Sequence, residues 1–247
     1  MTRLTATVPL PLKVAGLAVH FYTAVTAVLA FGSVLAAMDR DVTLALWLNA
    51  LAVFIDATDG VLARRLQVRQ TLPWFDGALL DNIVDYLTYV FVPVVLLWTG
   101  DYLPHGPVGL VLATVPLLAS GYQFCRVDAK TNDHFFLGFP SYWNVVAFYA
   151  IVGAVDVNVL GAVLLLCAVG VFVPIRYVYP TRTRAFMPLT LGLAAIWGLA
   201  CAVLLWQMPR PAPWLVSASY LYVVYYGVLS LYLTATRRAP RLAPASD

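Results

Sequence analysis

Five aspartates fall between Asp56 and Asp85, and four of them carry the spacing of helix faces. Asp56, Asp59, Gly60 and Ala63 stand at i, i+3, i+4 and i+7, a single stripe on a helix. Gly77, Asp81 and Asp85 stand at i, i+4 and i+8, a second stripe. Two antiparallel helices joined by a short loop are natural neighbours. If their stripes face each other, Asp56, Asp59, Asp81 and Asp85 meet in one pocket. Oxygen ligands of this kind suit Mg²⁺ or Mn²⁺, which use a few carboxylates together with substrate phosphates. Two such ions could clamp a phosphoryl group at its attacking and leaving oxygens. Gly60, Ala63 and Gly77 leave room for a bulky ligand to approach the helix backbones. Arg64, one residue beyond the first stripe, suits phosphate. Asp76, just before the second helix, reads as an N-cap.

The bland alternative is that all five aspartates cap helices and solvate a loop. The surroundings argue against it. The chain is 62% hydrophobic and 11% charged, its mean hydropathy is +0.84, and it contains no glutamate. Ordinary soluble domains are roughly 25% charged. An aspartate at the middle of a membrane helix costs about 2.5–3.5 kcal/mol. Two bare charges about 4 Å apart repel by about 4 kcal/mol at an effective dielectric of about 20. Divalent cations remove both penalties.

Long apolar runs specify the elements that must position these residues. Eight spans are predicted, at 15–38, 42–63, 77–99, 106–125, 141–155, 157–178, 187–206 and 213–234. Only Asp156 and Asn158 mark a break between the fifth and the sixth. The fold class is an all-α polytopic membrane bundle of eight transmembrane helices. One domain is expected over 1–247, with a disordered tail from about residue 235. Thirteen of the fifteen lysines and arginines lie at the N-terminal end, in even-numbered connections or in the tail; only Arg40 and Arg210 do not. That bias predicts cytoplasmic termini and a cytoplasmic aspartate cluster in a multi-pass protein of the bacterial inner membrane. The net charge of +3 describes this one face and gives no sign of a nucleic-acid partner. Cys125, Cys167 and Cys201 have neither metal-site spacing nor a disulfide framework, and read as small core residues.

The pattern Asp56-x2-Asp59-Gly60-x2-Ala63-Arg64-x12-Gly77-x3-Asp81-x3-Asp85 resembles the signature of the CDP-alcohol phosphotransferases. Its twelve-residue gap, Arg65 to Asp76, is longer than in most members and is similar to that of the bacterial branch that makes phosphatidylcholine. "LPWFDGALLDNIVDYLTYVFVP" and "AKTNDHFFLGFPSYWNVVAFY" resemble the same branch, and the likeness is weakest in the last two spans. The resemblance implies transfer of the phosphatidyl group from CDP-diacylglycerol to choline, with release of CMP. It implies that Asp56, Asp59, Asp81 and Asp85 hold the metal ions and that Asp85 is also the general base. Gly60, Ala63, Arg64 and Gly77 would bind CDP-diacylglycerol. It also implies a homodimer as a possible assembly. Nothing in the sequence resembles a protein nucleophile, so direct in-line attack is the simplest path.

A quaternary ammonium cannot donate hydrogen bonds and is usually recognised by aromatic faces. Tyr86 and Tyr89 follow the aspartates, and the loop after Lys130 supplies Phe135, Phe136, Phe139, Tyr142 and Trp143. A choline site drawn from Tyr86, Tyr89, Phe136, Tyr142 and Trp143 competes with a plainer reading, since tyrosine and tryptophan collect at membrane interfaces anyway. His134 could touch phosphate or choline, or bond within its own loop. Asn49 could reach the nucleotide or bond between helices. His20 is given no role. Two rival functions stay open: another alcohol in the same chemistry, and a cation transporter with an aspartate site, which would place polar residues near the midplane of several spans.

Overall fold

The computed structural model describes residues 9–236. The chain begins with two long helices, α1 (Leu10–Met38) and α2 (Val42–Arg65), and a single turn, α3 (Val68–Thr71). A continuous rod comes next, made of α4 (Gly77–Asp85), a π-helical turn (Tyr86–Phe91) and α5 (Val92–Thr99). Then come α6 (Pro107–Cys125), β1 (Phe135–Leu137), α7 (Trp143–Val152), α8 (Val157–Phe172), β2 (Arg176–Val178), α9 (Met187–Trp206) and α10 (Pro213–Thr236). Helix α10 takes in residues 235 and 236; the rest of the tail predicted to be disordered lies outside the described residues.

All eight apolar runs become helical, but they are not eight equal spans. Six rods are long and apolar enough to cross a membrane: α1, α2, Gly77–Thr99, α6, α9 and α10. At about 1.5 Å per residue, α7 extends about 15 Å and α8 about 24 Å, against a hydrocarbon layer about 30 Å thick. The sixth apolar run extends to residue 178, but its helix stops at Phe172, because Pro174 has no N–H to give and disfavours a helical conformation at Val173. The end of the run becomes strand β2 instead.

Helices α1 and α2 meet along small residues. Gly16, Thr23, Thr26, Ala30, Ser33 and Ala37 recur along α1 and are buried. Ala45, Asn49, Ala52 and Asp59 do the same on α2. Small residues let backbones approach closely, which is how helices associate where lipid is as apolar as leucine. The Ser33 hydroxyl reaches across to the Ala45 carbonyl at 2.8 Å. Asp41 starts α2 by accepting from the Leu44 amide. Asp76 starts α4 by accepting from the amides of Ala78 and Leu79, the capping role read from its position.

The π-helical turn has no counterpart in the sequence reading, yet Pro93 explains it. In an α-helix the Pro93 ring would clash with the carbonyl of Tyr89, which would also lose its donor. The wider turn relieves that conflict, and the Val92 amide bonds to the Leu87 carbonyl instead. The two strands form an antiparallel ribbon, with Phe135 opposite Val178, Phe136 opposite Tyr177 and Leu137 opposite Arg176. The far edge of β2 is covered by α10. Thr234 accepts from the Arg176 amide (2.8 Å), Ser230 accepts from the Val178 amide (3.2 Å), and the Tyr226 hydroxyl donates to the Val178 carbonyl (2.8 Å). Arg176, only 9% exposed in its side chain, pairs with Asp133 at 2.9 Å and so ties the start of the ribbon loop to β2. The cysteines are free, but the core reading fails for one. Cys125 is exposed, because α6 turns Leu112, Pro116, Ala119 and Gln123 inward and leaves Cys125 on another face.

Asp133→Ala leaves the Arg176 guanidinium buried without a counter-charge and should cost about 3 kcal/mol. Asp128→Ala breaks only the surface pair with Arg126, whose hydrogen bonds hold the Asp128 carboxyl below the usual carboxylate range. Thermal unfolding in detergent should show a clear drop in midpoint for Asp133→Ala and little change for Asp128→Ala; equal drops would show that the ribbon does not depend on the buried pair.

Candidate active site

The two stripes meet in part, through Asp56 of the first and both aspartates of the second. Asp56 of α2 and Asp81 and Asp85 of α4 each place a carboxylate oxygen so that the three lie within 4.8 Å of one another. No ion pair among the described residues involves any of them. Lys130 acts on Asp81 and Asp85 only as a neighbouring charge, and Arg182 acts likewise on Asp81. Asp85 Oδ1 is buried without a hydrogen-bond partner. An orphaned carboxylate oxygen beside two further carboxylates is the donor set of a hard divalent cation. An ion with bonds of about 2.1 Å spans about 4.2 Å between opposite ligands, so the trio fits one ion after slight closure, or two ions that share ligands.

Asp59 stands outside this trio. It is 6% exposed, and its Oδ2 accepts a 2.6 Å hydrogen bond from the Thr23 hydroxyl of α1. The four-carboxylate meeting expected from spacing is therefore a meeting of three, with the fourth drawn towards α1. Sequence reasoning missed Thr23; its signal is a place on the small-residue stripe, three positions after His20.

The small positions have separate surroundings. At Gly60 a Cβ would stand 3.1 Å from Nη1 of Arg64, whose exposed guanidinium lies over that glycine. Ala63 packs against the apolar cluster of Val19, Val68 and Leu72. At Gly77 the space is taken by His20, with Cε1 2.6 Å from where a Cβ would be. His20 packs on Phe75, the rings tilted by 32° with centres 4.2 Å apart, and its Nε2 is buried without a partner. A residue given no role thus contacts the opening turn of the second aspartate helix.

The aromatic residues divide into two groups. Tyr89 donates to Asp56 Oδ2 at 2.6 Å, and its ring centre lies 6.0 Å from that of Tyr142. Tyr142 is 6.5 Å from Phe136 and 6.1 Å from Tyr226, while Phe136 stacks on Tyr179 at 4.6 Å. Sequence reasoning missed Tyr179 and Tyr226 because they come from the end of β2 and from α10, far along the chain. Trp143 and Tyr86 are engaged elsewhere. Trp143 is 1% exposed in the main core, donates from its indole to Ser120 (2.6 Å) and packs on Phe139. Tyr86 donates to the Leu117 carbonyl and packs on Phe124. His134 takes a positive φ of 65° and is tied to its surroundings through its backbone, the carbonyl accepting from Thr183. Asn49 donates to the Thr88 carbonyl at 2.7 Å, the bond between helices that was one of its two readings.

An all-α membrane bundle that brings three carboxylates from two neighbouring helices against an aromatic assembly defines a multi-pass membrane protein with a candidate divalent-cation centre. No protein-family model matches the chain. Phosphatidylcholine synthase of Legionella pneumophila is 43% identical over 223 residues, covering 87% of both chains. The enzyme of that name from Pseudomonas aeruginosa is 36% identical, covering 88% of this chain and 91% of its own. That from Borreliella burgdorferi is 32% identical, covering 89% and 94%. This chain belongs to the bacterial phosphatidylcholine synthase family.

Replacing Asp56 or Asp81 by alanine removes a carboxylate from the trio. The rise in thermal midpoint produced by Mn²⁺ should shrink in both variants, while stability without metal holds or increases as carboxylate repulsion is relieved. An undiminished Mn²⁺ effect in both would remove these residues from the metal centre.

Proposed function

We propose that this chain transfers the phosphatidyl group of CDP-diacylglycerol to choline, producing phosphatidylcholine and CMP. The observation that carries this reading is the contact between the carboxylate trio and the aromatic assembly, made by Tyr89 on Asp56. It sets an anion-and-metal site beside a surface of ring faces, the two chemistries that a nucleotide diphosphate and a quaternary ammonium demand. The name carried by the relatives supports the same reaction.

Asp56, Asp81 and Asp85 would hold Mn²⁺ or Mg²⁺, with Asp59 proposed as the fourth carboxylate of a two-ion set. When bound, the ions would neutralise charge on the diphosphate and the transferred phosphoryl group. Asp85 takes the proton from the choline hydroxyl as its oxygen attacks phosphorus, and the bond to CMP breaks on the opposite side. Arg64 grips the diphosphate, and Gly60, Ala63 and Gly77 shape the groove for the nucleotide. Lys130 and Arg182 add positive charge at its mouth. Tyr142, Phe136 and Tyr89, joined by Tyr179 and Tyr226, supply the ring faces for trimethylammonium. The rest of catalysis is positioning, since the chemistry needs no covalent enzyme intermediate.

The chain is read as one catalytic domain in the bacterial inner membrane. The lysine and arginine bias supports cytoplasmic termini and a cytoplasmic site. An eight-crossing path requires α7 and α8 to complete their passages through the non-helical segments beside them, residues 138–142 before α7 and residues 173–175 after α8. A homodimer is the proposed assembly.

Purified protein supplied with CDP-diacylglycerol, Mn²⁺ and labelled choline should produce lipid-soluble label. Label from serine, inositol or glycerol phosphate, and none from choline, would identify a different alcohol; uptake into vesicles without lipid product would identify a transporter. Tyr142→Ala should raise the KM for choline by roughly two- to thirty-fold, corresponding to a cation–π contact of about 0.5–2 kcal/mol, and should affect the KM for CDP-diacylglycerol less. Equal effects on both substrates would mean that this ring only packs.

A further inference from the structure

We propose that Tyr89 is a positioning residue of the metal centre, whose hydroxyl sets the rotation of the Asp56 carboxylate. The inference rests on the carboxylate trio holding a divalent cation, the metal reading given under the proposed function.

The hydrogen bond is short, 2.6 Å from the Tyr89 hydroxyl to Asp56 Oδ2. It holds one oxygen, so the direction of the other follows. A phenol orients a carboxylate without cancelling its charge, as a lysine or arginine would, and leaves the full negative charge for a cation. Partners of metal ligands commonly work in this way. Among the described residues, the hydroxyls that bond to the four signature aspartates are those of Tyr89 on Asp56 and Thr23 on Asp59.

The backbone around Tyr89 is fixed from the helix that carries Asp56. In the π-helical turn the Val92 amide bonds to Leu87, which leaves the Thr88 carbonyl without its α-helical donor. Asn49 supplies the missing donor at 2.7 Å. Asn49 lies on α2 seven residues before Asp56, two turns away on the same face. One helix therefore presents the ligand and also anchors the turn that orients it. On its other side the Tyr89 ring rests 6.0 Å from Tyr142, so the same residue joins the metal centre to the rings proposed for choline.

The test is Mn²⁺ binding by the full-length protein in detergent, with no lipid or alcohol substrate present. Free Mn²⁺ is read by electron paramagnetic resonance, and the Mn²⁺-dependent thermal midpoint gives a second measure. Tyr89→Phe keeps the ring and removes the hydroxyl; its apparent Kd for Mn²⁺ should rise by about ten- to a hundred-fold. Wild-type affinity in Tyr89→Phe overturns the proposal. Tyr89→Ala should weaken Mn²⁺ binding to the same extent as Tyr89→Phe. A loss in Tyr89→Ala alone would assign the effect to ring packing and also overturn it. Wild-type protein with no Mn²⁺ binding would sink the metal centre and this inference together. Wild-type protein that binds Mn²⁺, loses it in Tyr89→Phe and yet converts no choline would support the positioning role and overturn only the choline reaction.

Discussion

Three like charges held within a few ångströms of one another, on helices long enough to cross a bilayer, form the constraint on which this molecule turns. Each carboxylate repels its neighbours, and half-burial leaves less water to soften that repulsion. The surrounding architecture supplies what water would have supplied. Thr23 takes up Asp59, Tyr89 takes up Asp56, and Asp85 keeps an unpartnered oxygen that a cation can complete. The short separation between α1 and α2 matters here, because Thr23 can reach Asp59 only where small residues let the two backbones draw together.

The same principle governs the polar backbone away from the site. The π-helical turn exposes the Thr88 carbonyl, and Asn49 covers it. Strand β2 presents an open edge, and α10 covers it with Tyr226, Ser230 and Thr234, spaced four residues apart on one face. Through these bonds the ribbon that carries Phe136 is fastened to α10, and Tyr226 joins the rings around Tyr142. Helices α9 and α10 bury only 17% and 22% of their most apolar stretches, against 33–39% for the four rods before them, so the rest of the chain covers little of their surface.

Much of this was legible in the sequence, and what was not has physical reasons. The stripes of Asp56 and of Asp81 and Asp85 follow from helical periodicity alone, and the Asp76 cap from its place just before the helix. The run 187–206 coincides with α9 because apolar length is the strongest signal a membrane chain carries. Periodicity could not reveal that Asp59 would turn to Thr23, since that depends on which helix packs behind it. Pro93 and Pro174 were both visible, but a proline says only that the helix must yield. In one case it yields by widening a turn, and in the other by becoming a strand. The aromatic residues were hardest to assign. Trp143 and Tyr142 are adjacent in sequence, yet one fills the core against Ser120 and the other meets Tyr89. Composition cannot tell which way a ring faces.

The contact between β2 and α10 has a vernier-like consequence. Four residues of helix advance about 6 Å, and two residues of strand advance about 6.6 Å. Ser230 and Thr234 can therefore meet the amides of Val178 and Arg176 in register, the helix descending as the strand climbs. Each further step would add about 0.6 Å of mismatch, which hydrogen bonds held to roughly 2.7–3.2 Å tolerate only briefly. The stretch of strand edge that this helix face can cover is thus only a few residues long.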